Sequence, residues 1–268
     1  MAVTDEDVAA ISGLVGRFEN GGGDAYQGVT GDFDGQGISC GVLQWNIGQG
    51  SLQPLVMEAG EATVRAAMPT FGQDMWQACQ KPIPVGLTIV RGWMNGAGLK
   101  ATPKAELRQL MGTSAMRAAQ TKRIRKVAET ADGLASTWAT QRGGGPRTKQ
   151  ELALFFDFVT QNGGMSGVGY ADVAAFKAAT TPGKVDDMVC DWLAGLNASF
   201  WGYKDARKNG ALWRNNVSGA NLDLLVLSYL RAQKSRVKAR GDVVNRKGTI
   251  STLKGNVHGE LYDLSDLF

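Results

Sequence analysis

The side chains of this sequence that could carry out chemistry are mainly carboxylates. His258 is the single histidine among 268 residues, and the three cysteines, Cys40, Cys79 and Cys190, are scattered along the chain. Catalytic triads and metal sites that use histidine are therefore disfavoured, because only one histidine is available. An odd number of unclustered cysteines argues against a disulfide framework or a zinc site. What remains is acid–base chemistry by a pair of carboxyl groups, without a metal or another cofactor.

Glu19 is the first candidate for such a pair. It follows the apolar positions of the first predicted helix and is flanked by Phe18 and Asn20. At the C-terminus of a helix, and beside an aromatic ring, the charged form of a carboxyl group is disfavoured by the helix dipole and by desolvation. These conditions suit a general acid, although residue types alone favour a solvated surface glutamate.

The second carboxylate could come from the glycine-rich segment 24–50, which contains Asp24, Asp32 and Asp34. Hydrolysis of a glycosidic bond needs one carboxylic acid that protonates the leaving oxygen and one carboxylate across the bond. One member must be desolvated and the other hydrated, so such a pair belongs in a cleft.

Two runs of residues resemble the catalytic segment of glycoside hydrolase family 46, the chitosanases: Phe18-Glu19-Asn20 and Asp34-Gly35-Gln36-Gly37-Ile38-Ser39-Cys40-Gly41-Val42-Leu43. That family has a Glu-Asn at the end of its first helix, followed by an Asp-Gly-x-Gly-x-Thr-x-Gly run. The resemblance implies that Glu19 is the acid, that Asp34 is the base of an inverting reaction, and that Ser39 helps to hold the attacking water. The spacing from acid to base is shorter here, so the intervening loop must differ.

The next residues extend the resemblance to a wider superfamily. Gly41-Val42-Leu43-Gln44 is similar to the Gly-Leu-Met-Gln strand of goose-type lysozymes and lytic transglycosylases, whose superfamily contains phage endolysins and antibacterial wall hydrolases. Gln161-Asn162-Gly163-Gly164 and Val257-His258-Gly259 are looser matches. The resemblance implies a mainly α, lysozyme-like α+β fold with two lobes, an active-site cleft between them, and a small β element in the N-terminal lobe.

Several further residues are candidates for supporting roles. Gln44, on a strand lining the cleft, could donate to a sugar N-acetyl group or support Glu19. Tyr26 and Trp45 could stack on sugar rings, but a packing role is favoured for each. Asn162 could hydrogen-bond a sugar or cap its helix, and capping is favoured. Asp32 is the next candidate for the base if Asp34 fails.

Calcium binding is a rival interpretation of the same aspartates. Asp32-x-Asp34-x-Gln36-Gly37 resembles the start of an EF-hand loop. The twelfth position, however, is Leu43, where the loop requires a bidentate glutamate. No helix is predicted to flank the loop on its N-terminal side, so the acid–base interpretation is preferred.

The elements that must position these residues are mostly helices. Thr4 and Asp7 form a predicted capping box, and Val8, Ile11, Val15 and Phe18 then recur at helical spacing until Gly21, Gly22 and Gly23 end the first helix. Segment 24–50 lacks this period and is predicted to form loops and short strands.

Three later stripes predict further helices within one domain, 1–268. The first consists of Leu152, Phe155, Phe156 and Val159 and is closed by Asn162-Gly163-Gly164. The second consists of Met188, Val189, Trp192, Leu193, Leu196 and Phe200, and the third of Leu222, Leu225, Val226 and Tyr229, running into basic residues. Gly143 to Pro146 is a tight break between helices.

The charge balance is mildly basic, with a net charge of +4. Basic residues concentrate in segments 117–126 and 231–247; solvated helix faces are the favoured interpretation, and attraction to an anionic polymer is the alternative. The sequence shows neither a secretory signal nor an apolar stretch of about eighteen residues. We therefore expect synthesis in the cytoplasm, no stable membrane insertion, and another route to the cell wall, such as holin-type release or injection.

The sequence as a whole predicts a peptidoglycan hydrolase, a muramidase of the endolysin or antibacterial effector kind. The expected partners are peptidoglycan glycan strands, with an immunity protein or a component of a secretion machine, and no nucleic acid. A chitosanase is the close alternative. A non-catalytic component of a wall-binding module or phage tail is the third.

Overall fold

The computed structural model describes residues 2–20, 23–181 and 183–268, with the exception of the side chains of Glu19 and Asn20. Within these residues the chain is mainly helical, as predicted. The α-helices are α1 (Asp5–Asn20), α2 (Gln53–Ala59), α3 (Glu61–Ala67), α4 (Gly72–Gln80), α5 (Ile83–Arg91), α6 (Ala101–Gly112), α7 (Ser114–Gln141), α8 (Lys149–Asn162), α9 (Tyr170–Ala178), α10 (Val185–Ala194), α11 (Tyr203–Trp213), α12 (Gly219–Gln233) and α13 (Arg240–Thr252). None of the described helices is both long and apolar enough to span a bilayer.

The strands are short and form three small antiparallel sheets. They are β1 (Val29–Thr30), β2 (Ser39–Cys40), β3 (Trp45–Asn46), β4 (Met94–Asn95), β5 (Gly98–Leu99), β6 (Lys254–Val257) and β7 (Glu260–Asp263). The first sheet has the order β1-β2-β3, whereas β4 with β5 and β6 with β7 form hairpins. Segment 24–50 therefore consists of loops and short strands, as predicted, with one 3₁₀-helix at Ala25–Gln27.

Helix α1 begins with the predicted capping box. The Thr4 hydroxyl accepts the N–H of Asp7 at 3.1 Å, and the Asp7 carboxylate accepts the N–H of Thr4 at 3.0 Å. The apolar stripe is buried at Val8, Ile11, Val15 and Phe18. The helix ends at Asn20; the predicted stop at Gly21 and Gly22 lies outside the described residues.

The chain divides into two compact units, one of residues 15–126 and one of residues 1–14 with 127–268. The first contains the β1-β2-β3 sheet, the β4-β5 hairpin and helices α2 to α6. Its core is apolar, with Leu52, Leu55, Val56, Met68 and Met75 fully buried. The single-domain organisation predicted from the sequence stays a prediction.

The second unit is organised around Trp213, where α12 packs on α13 and α10 on α11. The Trp213 indole N–H donates to the Lys254 carbonyl at 2.7 Å, which ties α11 to β6. The ring lies so close to α13 that a Cβ at Gly248 would be 2.4 Å from it. Trp213 packs in a buried cluster with Val189, Leu193, Leu225 and Val244.

The second predicted stripe extends beyond the end of its helix. Helix α10 stops at Ala194, because Gly195, a poor helix former, follows it, so Leu196 and Phe200 lie beyond the helix. Helix α12 stops at Gln233; a 3₁₀-helix at Val237–Ala239 and then α13 follow. The third apolar stripe therefore runs into the second basic segment at Arg231, as predicted, and the remainder of that segment follows α12.

Candidate functional site

The β1-β2-β3 sheet presents one polar and one apolar face. Thr30 pairs with Ser39, and Ser39 with Asn46, while Val29, Cys40 and Trp45 form the neighbouring row. Residues directly opposite each other in antiparallel strands share a face. The sheet therefore carries Thr30, Ser39 and Asn46 on one side and the apolar row, which includes Trp45, on the other; Thr30 is exposed, whereas Ser39, Asn46 and the apolar row are buried. The predicted packing role of Trp45 fits this burial.

Asp34 lies in the loop that joins β1 to β2. Its side chain is exposed, and its carboxylate accepts the N–H of Gln36 at 3.1 Å. Gly35 and Gly37 both adopt left-handed backbone conformations, with φ of 82° and 81°, which glycine tolerates best. The loop thus holds a hydrated carboxylate directly before the polar row of the sheet.

Asp32 has a different environment, although it is only two residues away. Its carboxylate accepts the Arg91 guanidinium at 2.7 Å and the N–H of Gly37 at 2.8 Å. The hydrogen bond from Arg91, followed by that from Gly37, lowers the pKa of Asp32 below its usual value. Arg91 also donates to the Gly35 carbonyl at 3.0 Å. Asp32 therefore anchors the loop, which leaves Asp34 as the better candidate for a base.

The start of the same loop is fixed by the β4-β5 hairpin. The N–H of Asp32 donates to the Ala97 carbonyl at 2.8 Å, and a Cβ at Gly31 would lie 2.1 Å from that oxygen. Only glycine allows this approach of two backbones. The loop is therefore held at Asp32 by Ala97 and Arg91, and at Gly35 by Arg91.

Gln44 lies in a turn and not in a strand. Residues 41–44 connect β2 to β3, and Gln44 has a left-handed φ of 53°. Its side chain accepts the Thr30 hydroxyl at 3.2 Å and donates to the Gly41 carbonyl at 3.1 Å. The predicted strand is therefore wrong, because the motif cannot reveal that the chain reverses here. Gln44 nevertheless joins the polar row through Thr30.

Gln120 is a residue that sequence reasoning missed. It is fully buried in α7, where its side chain accepts the N–H of Val42 at 3.1 Å and donates to the carbonyls of Tyr26 and Met111 at 3.3 and 3.2 Å. It therefore fixes the turn 41–44. Its position on the apolar side of α7, four residues after buried Met116 and before buried Ile124, was the available signal.

Tyr26 lies in the 3₁₀-helix and is held there by residues of α7. Its hydroxyl lies 3.0 Å from the Thr121 hydroxyl, and the Arg117 guanidinium lies 5.1 Å from its ring centroid. Arg117 also forms an ion pair with Asp24, whose carboxylate accepts the N–H of Tyr26. These contacts fit packing better than stacking on a sugar.

The helix that carries Glu19 packs against this 3₁₀-helix. A Cβ at Gly16 would lie 3.1 Å from the Ala25 side chain, so the C-terminal half of α1 contacts the segment that leads into β1. Glu19 belongs to the last turn of α1. Its side chain, like that of Asn20, lies outside the described residues. A cavity of about 220 Å³ follows, lined by Gly23, Asp24, Gln27, Gly28 and Arg108.

Asn162 belongs to the other compact unit. It is the last residue of α8, and its backbone carbonyl accepts the Arg231 guanidinium at 2.6 Å. Its side-chain oxygen is buried without a hydrogen-bond partner among the described residues. The helix end is capped instead by the left-handed Gly163, whose N–H donates to the Phe158 carbonyl. The expected capping by the Asn162 side chain is therefore wrong.

The two basic segments differ in how far their cations are buried. In the first, Arg117 pairs with Asp24, and both Lys122 and Arg123 pair with Glu58. In the second, Arg231, Arg246 and Lys247 are buried. The prediction of a solvated face is therefore wrong for Arg231, Arg246 and Lys247, because carboxylate and carbonyl groups from distant parts of the chain bind these cations, whereas Lys234, Arg236 and Lys238 are exposed.

The aspartates do not form a metal centre with other residues of the described chain. No group of three His, Cys, Asp or Glu side chains there is arranged to hold a metal ion. Arg91 already occupies the Asp32 carboxylate, which an EF-hand loop would need as a ligand.

Comparison with protein families, with curated proteins and with solved structures gives no match for this chain.

Proposed function

We propose that this chain is a lysozyme-like glycoside hydrolase, a muramidase that cleaves β-1,4 bonds of bacterial peptidoglycan. The observation that carries the proposal is the contrast between Asp32 and Asp34. Arg91 neutralises Asp32 and fixes the loop, while Asp34 stays exposed and forms no ion pair with any described residue. A catalytic base needs this combination of a hydrated carboxylate and a fixed backbone.

In the proposed reaction Glu19 protonates the oxygen that leaves, and Asp34 takes a proton from the water that attacks. The anomeric centre then inverts. An inverting pair places its carboxyl groups about 6.5–9.5 Å apart, which leaves room for the water. Ser39, on the polar face of the sheet, is proposed to help hold that water.

Other residues are proposed to position the site without touching the reacting atoms. Gln44 is bonded to Thr30 and to the Gly41 carbonyl, so it stabilises the turn beside the polar row. Gln120 holds the turn at Val42 and the 3₁₀-helix at Tyr26, and Tyr26 also contacts α7 through Thr121. Asn162 stays a candidate for sugar binding, since its side-chain oxygen has no hydrogen-bond partner among the described residues.

The charge of the chain supports peptidoglycan over chitosan. Chitosan is a polycation, and a protein with a net charge of +4 gains nothing from long-range attraction to it. Bacterial walls carry anionic peptides and often anionic polymers. A chitosanase remains the alternative, and a non-catalytic wall-binding component is the third candidate. Holin-type release or injection, and an immunity protein as partner, belong to the proposal.

The test compares purified peptidoglycan and chitosan as substrates, with products identified by mass spectrometry. Glu19→Gln keeps the shape of the side chain but removes its proton, so activity should fall by about 10²–10⁴-fold. Glu129→Gln, an exposed glutamate on α7, is the matched control and should act like the wild type.

Each alternative predicts a different result. Near-normal cleavage by folded Glu19→Gln protein would remove Glu19 from the mechanism. Faster release of reducing ends from chitosan would make the chain a chitosanase. Binding to walls without release from either polymer would favour the non-catalytic candidate. NMR of the first anomer formed tests inversion.

A further inference from the structure

A basic pocket of about 490 Å³ lies in the unit of residues 1–14 and 127–268. It is formed by the end of α8, the segment after α12 and the first turns of α13. The lining includes one aromatic and five basic side chains: Trp201, Arg231, Lys234, Arg236, Arg246 and Lys247. Asp242 is the one carboxylate among the described residues that line it.

The floor of the pocket is formed by a buried cluster of charged side chains. Arg246 and Lys247 both bind the buried Asp157 carboxylate, at 2.8 and 2.6 Å. All three side chains are at least nine-tenths buried, so one carboxylate is shared between two desolvated cations. Asp242 contributes a second negative charge at the pocket wall, where His258 lies 3.7 Å from it.

Arg231 adds a third buried cation. Only 3% of the residue is exposed, and its guanidinium donates to the carbonyls of Asn162 and Gly164, each at 2.6 Å. Among the described residues no carboxylate forms an ion pair with it. The carbonyls at the end of α8 carry only partial negative charge, whereas a buried arginine ordinarily has an anionic partner. An anion in the pocket would supply one.

The start of α13 also lies at the pocket, where Asp242 contributes one carboxylate to its first turn. Ala239, which precedes this helix of 13 residues, has no side-chain oxygen to cap it, and both Ala239 and Val243 line the pocket. The N-terminus of a helix carries partial positive charge and attracts anions.

The rim combines exposed cations with an aromatic ring. Lys234 and Arg236 are exposed, and Trp201 is 59% exposed although tryptophan is usually well buried. An indole beside cations suits a sugar ring that carries a negative group, because the ring stacks and the cations bind the charge.

We propose that the basic pocket binds an anionic saccharide, a sugar that carries a phosphate or a carboxylate. Its volume lies in the range of sites for small ligands, about 300–1,000 Å³. The proposal does not depend on hydrolysis by Glu19 and Asp34, because it rests on residues of the other unit.

Calorimetric titration of the full chain at low salt tests the proposal. The probes are N-acetylglucosamine 6-phosphate, glucuronate, neutral N-acetylglucosamine and inorganic phosphate. We expect the anionic sugars to bind and the neutral sugar not to. Reversal of two rim charges, Lys234→Glu with Arg236→Glu, should weaken binding at least about tenfold. Lys184→Glu with Lys254→Glu changes the net charge equally but lies outside the pocket, and should leave binding within about twofold.

The outcomes separate the parts of the proposal. Whichever anionic sugar binds more tightly identifies the acidic group. Trp201→Ala should weaken binding of the sugar phosphate several-fold and leave inorganic phosphate unchanged. Absence of binding by both anionic sugars, or equal loss in the pocket and control variants, would overturn the site. Equal affinity for inorganic phosphate and sugar phosphate would overturn the saccharide part.

Discussion

Asp32 and Asp34 have the same side chain but different partners. Arg91 and the N–H of Gly37 stabilise the charged form of Asp32, so this carboxylate is a weaker base than an unpaired aspartate and holds the loop instead. Asp34 makes one contact with the loop, in which its carboxylate accepts the N–H of Gln36. The structural role therefore belongs to Asp32 and the proposed catalytic role to Asp34, so substitutions of the two residues should have different effects.

The first prediction concerns this division. Asp34→Asn should lower glycan cleavage by about 10²-fold or more while leaving the melting temperature near that of the wild type, because an exposed carboxylate is exchanged for an amide. Asp32→Asn should lower the melting temperature, because the ion pair with Arg91 is lost. Activity assays and calorimetry on both variants check this. Full activity of folded Asp34→Asn would contradict it.

The second prediction is the pH dependence of the Asp32 contribution. Its pKa in the folded chain lies below the usual value, because Arg91 and Gly37 bind the charged form. Its stabilisation is therefore complete above about pH 4, the usual pKa, and is lost as the pH falls through the lower folded value. The difference in melting temperature between the wild type and Asp32→Asn should be constant near neutrality and shrink below about pH 4. A gap that stays constant into strong acid would refute the assignment.

At the scale of elements, the sequence patterns correctly predicted the features that arise from interactions between residues close together in the chain. Helix α1 begins with the capping box of Thr4 and Asp7, and α8 is followed by the left-handed Gly163. Both features involve residues that are close together in the chain, and both helices form as expected. Gln44 was misplaced because the strand motif that it resembles does not reveal that the chain reverses at residues 41–44. The second basic segment was misjudged because Asp157, its buried partner, lies 89 residues before Arg246 in the chain.

The third prediction uses two helical glycines in opposite surroundings. Gly248 in α13 faces the Trp213 ring, and an added Cβ would lie 2.4 Å from it. Gly248→Ala should therefore destabilise the fold by about 1–3 kcal/mol through overpacking. Gly133→Ala in α7 is the matched control: nothing lies within 4 Å of its Cβ, so it should stabilise by about 0.5–1 kcal/mol. Urea unfolding measures both, and equal effects would contradict the packing argument.

At the scale of the whole molecule, the net charge is +4, and the two basic segments differ in the burial and ion pairing of their cations. In the first basic segment, Arg117 and Arg123 are paired with Asp24 and Glu58. In the second, three cations are buried around the basic pocket and two more lie on its rim. Long-range attraction to an anionic wall polymer should therefore depend more on residues 231–247 than on residues 117–126.

The fourth prediction tests whether the two units unfold together. Cys40 and Cys79 lie in one unit and Cys190 in the other, and all three are buried. Burial raises the pKa of Cys79 and of Cys190 to about 12 and that of Cys40 further, so the native thiols should resist alkylation, which needs the thiolate. Each thiol then reports the opening of its own unit.

Because α1 and α7 each contribute residues to both units, we expect one cooperative transition, as the sequence predicts for a single domain. Pulsed alkylation at increasing urea, read by mass spectrometry of the three cysteine peptides, should give the same midpoint for Cys40, Cys79 and Cys190. Protein fully unfolded in urea is the control, since its three thiols should react at similar rates. A lower midpoint for Cys190 alone, or for Cys40 and Cys79 together, would instead show that the chain holds two independently folding domains.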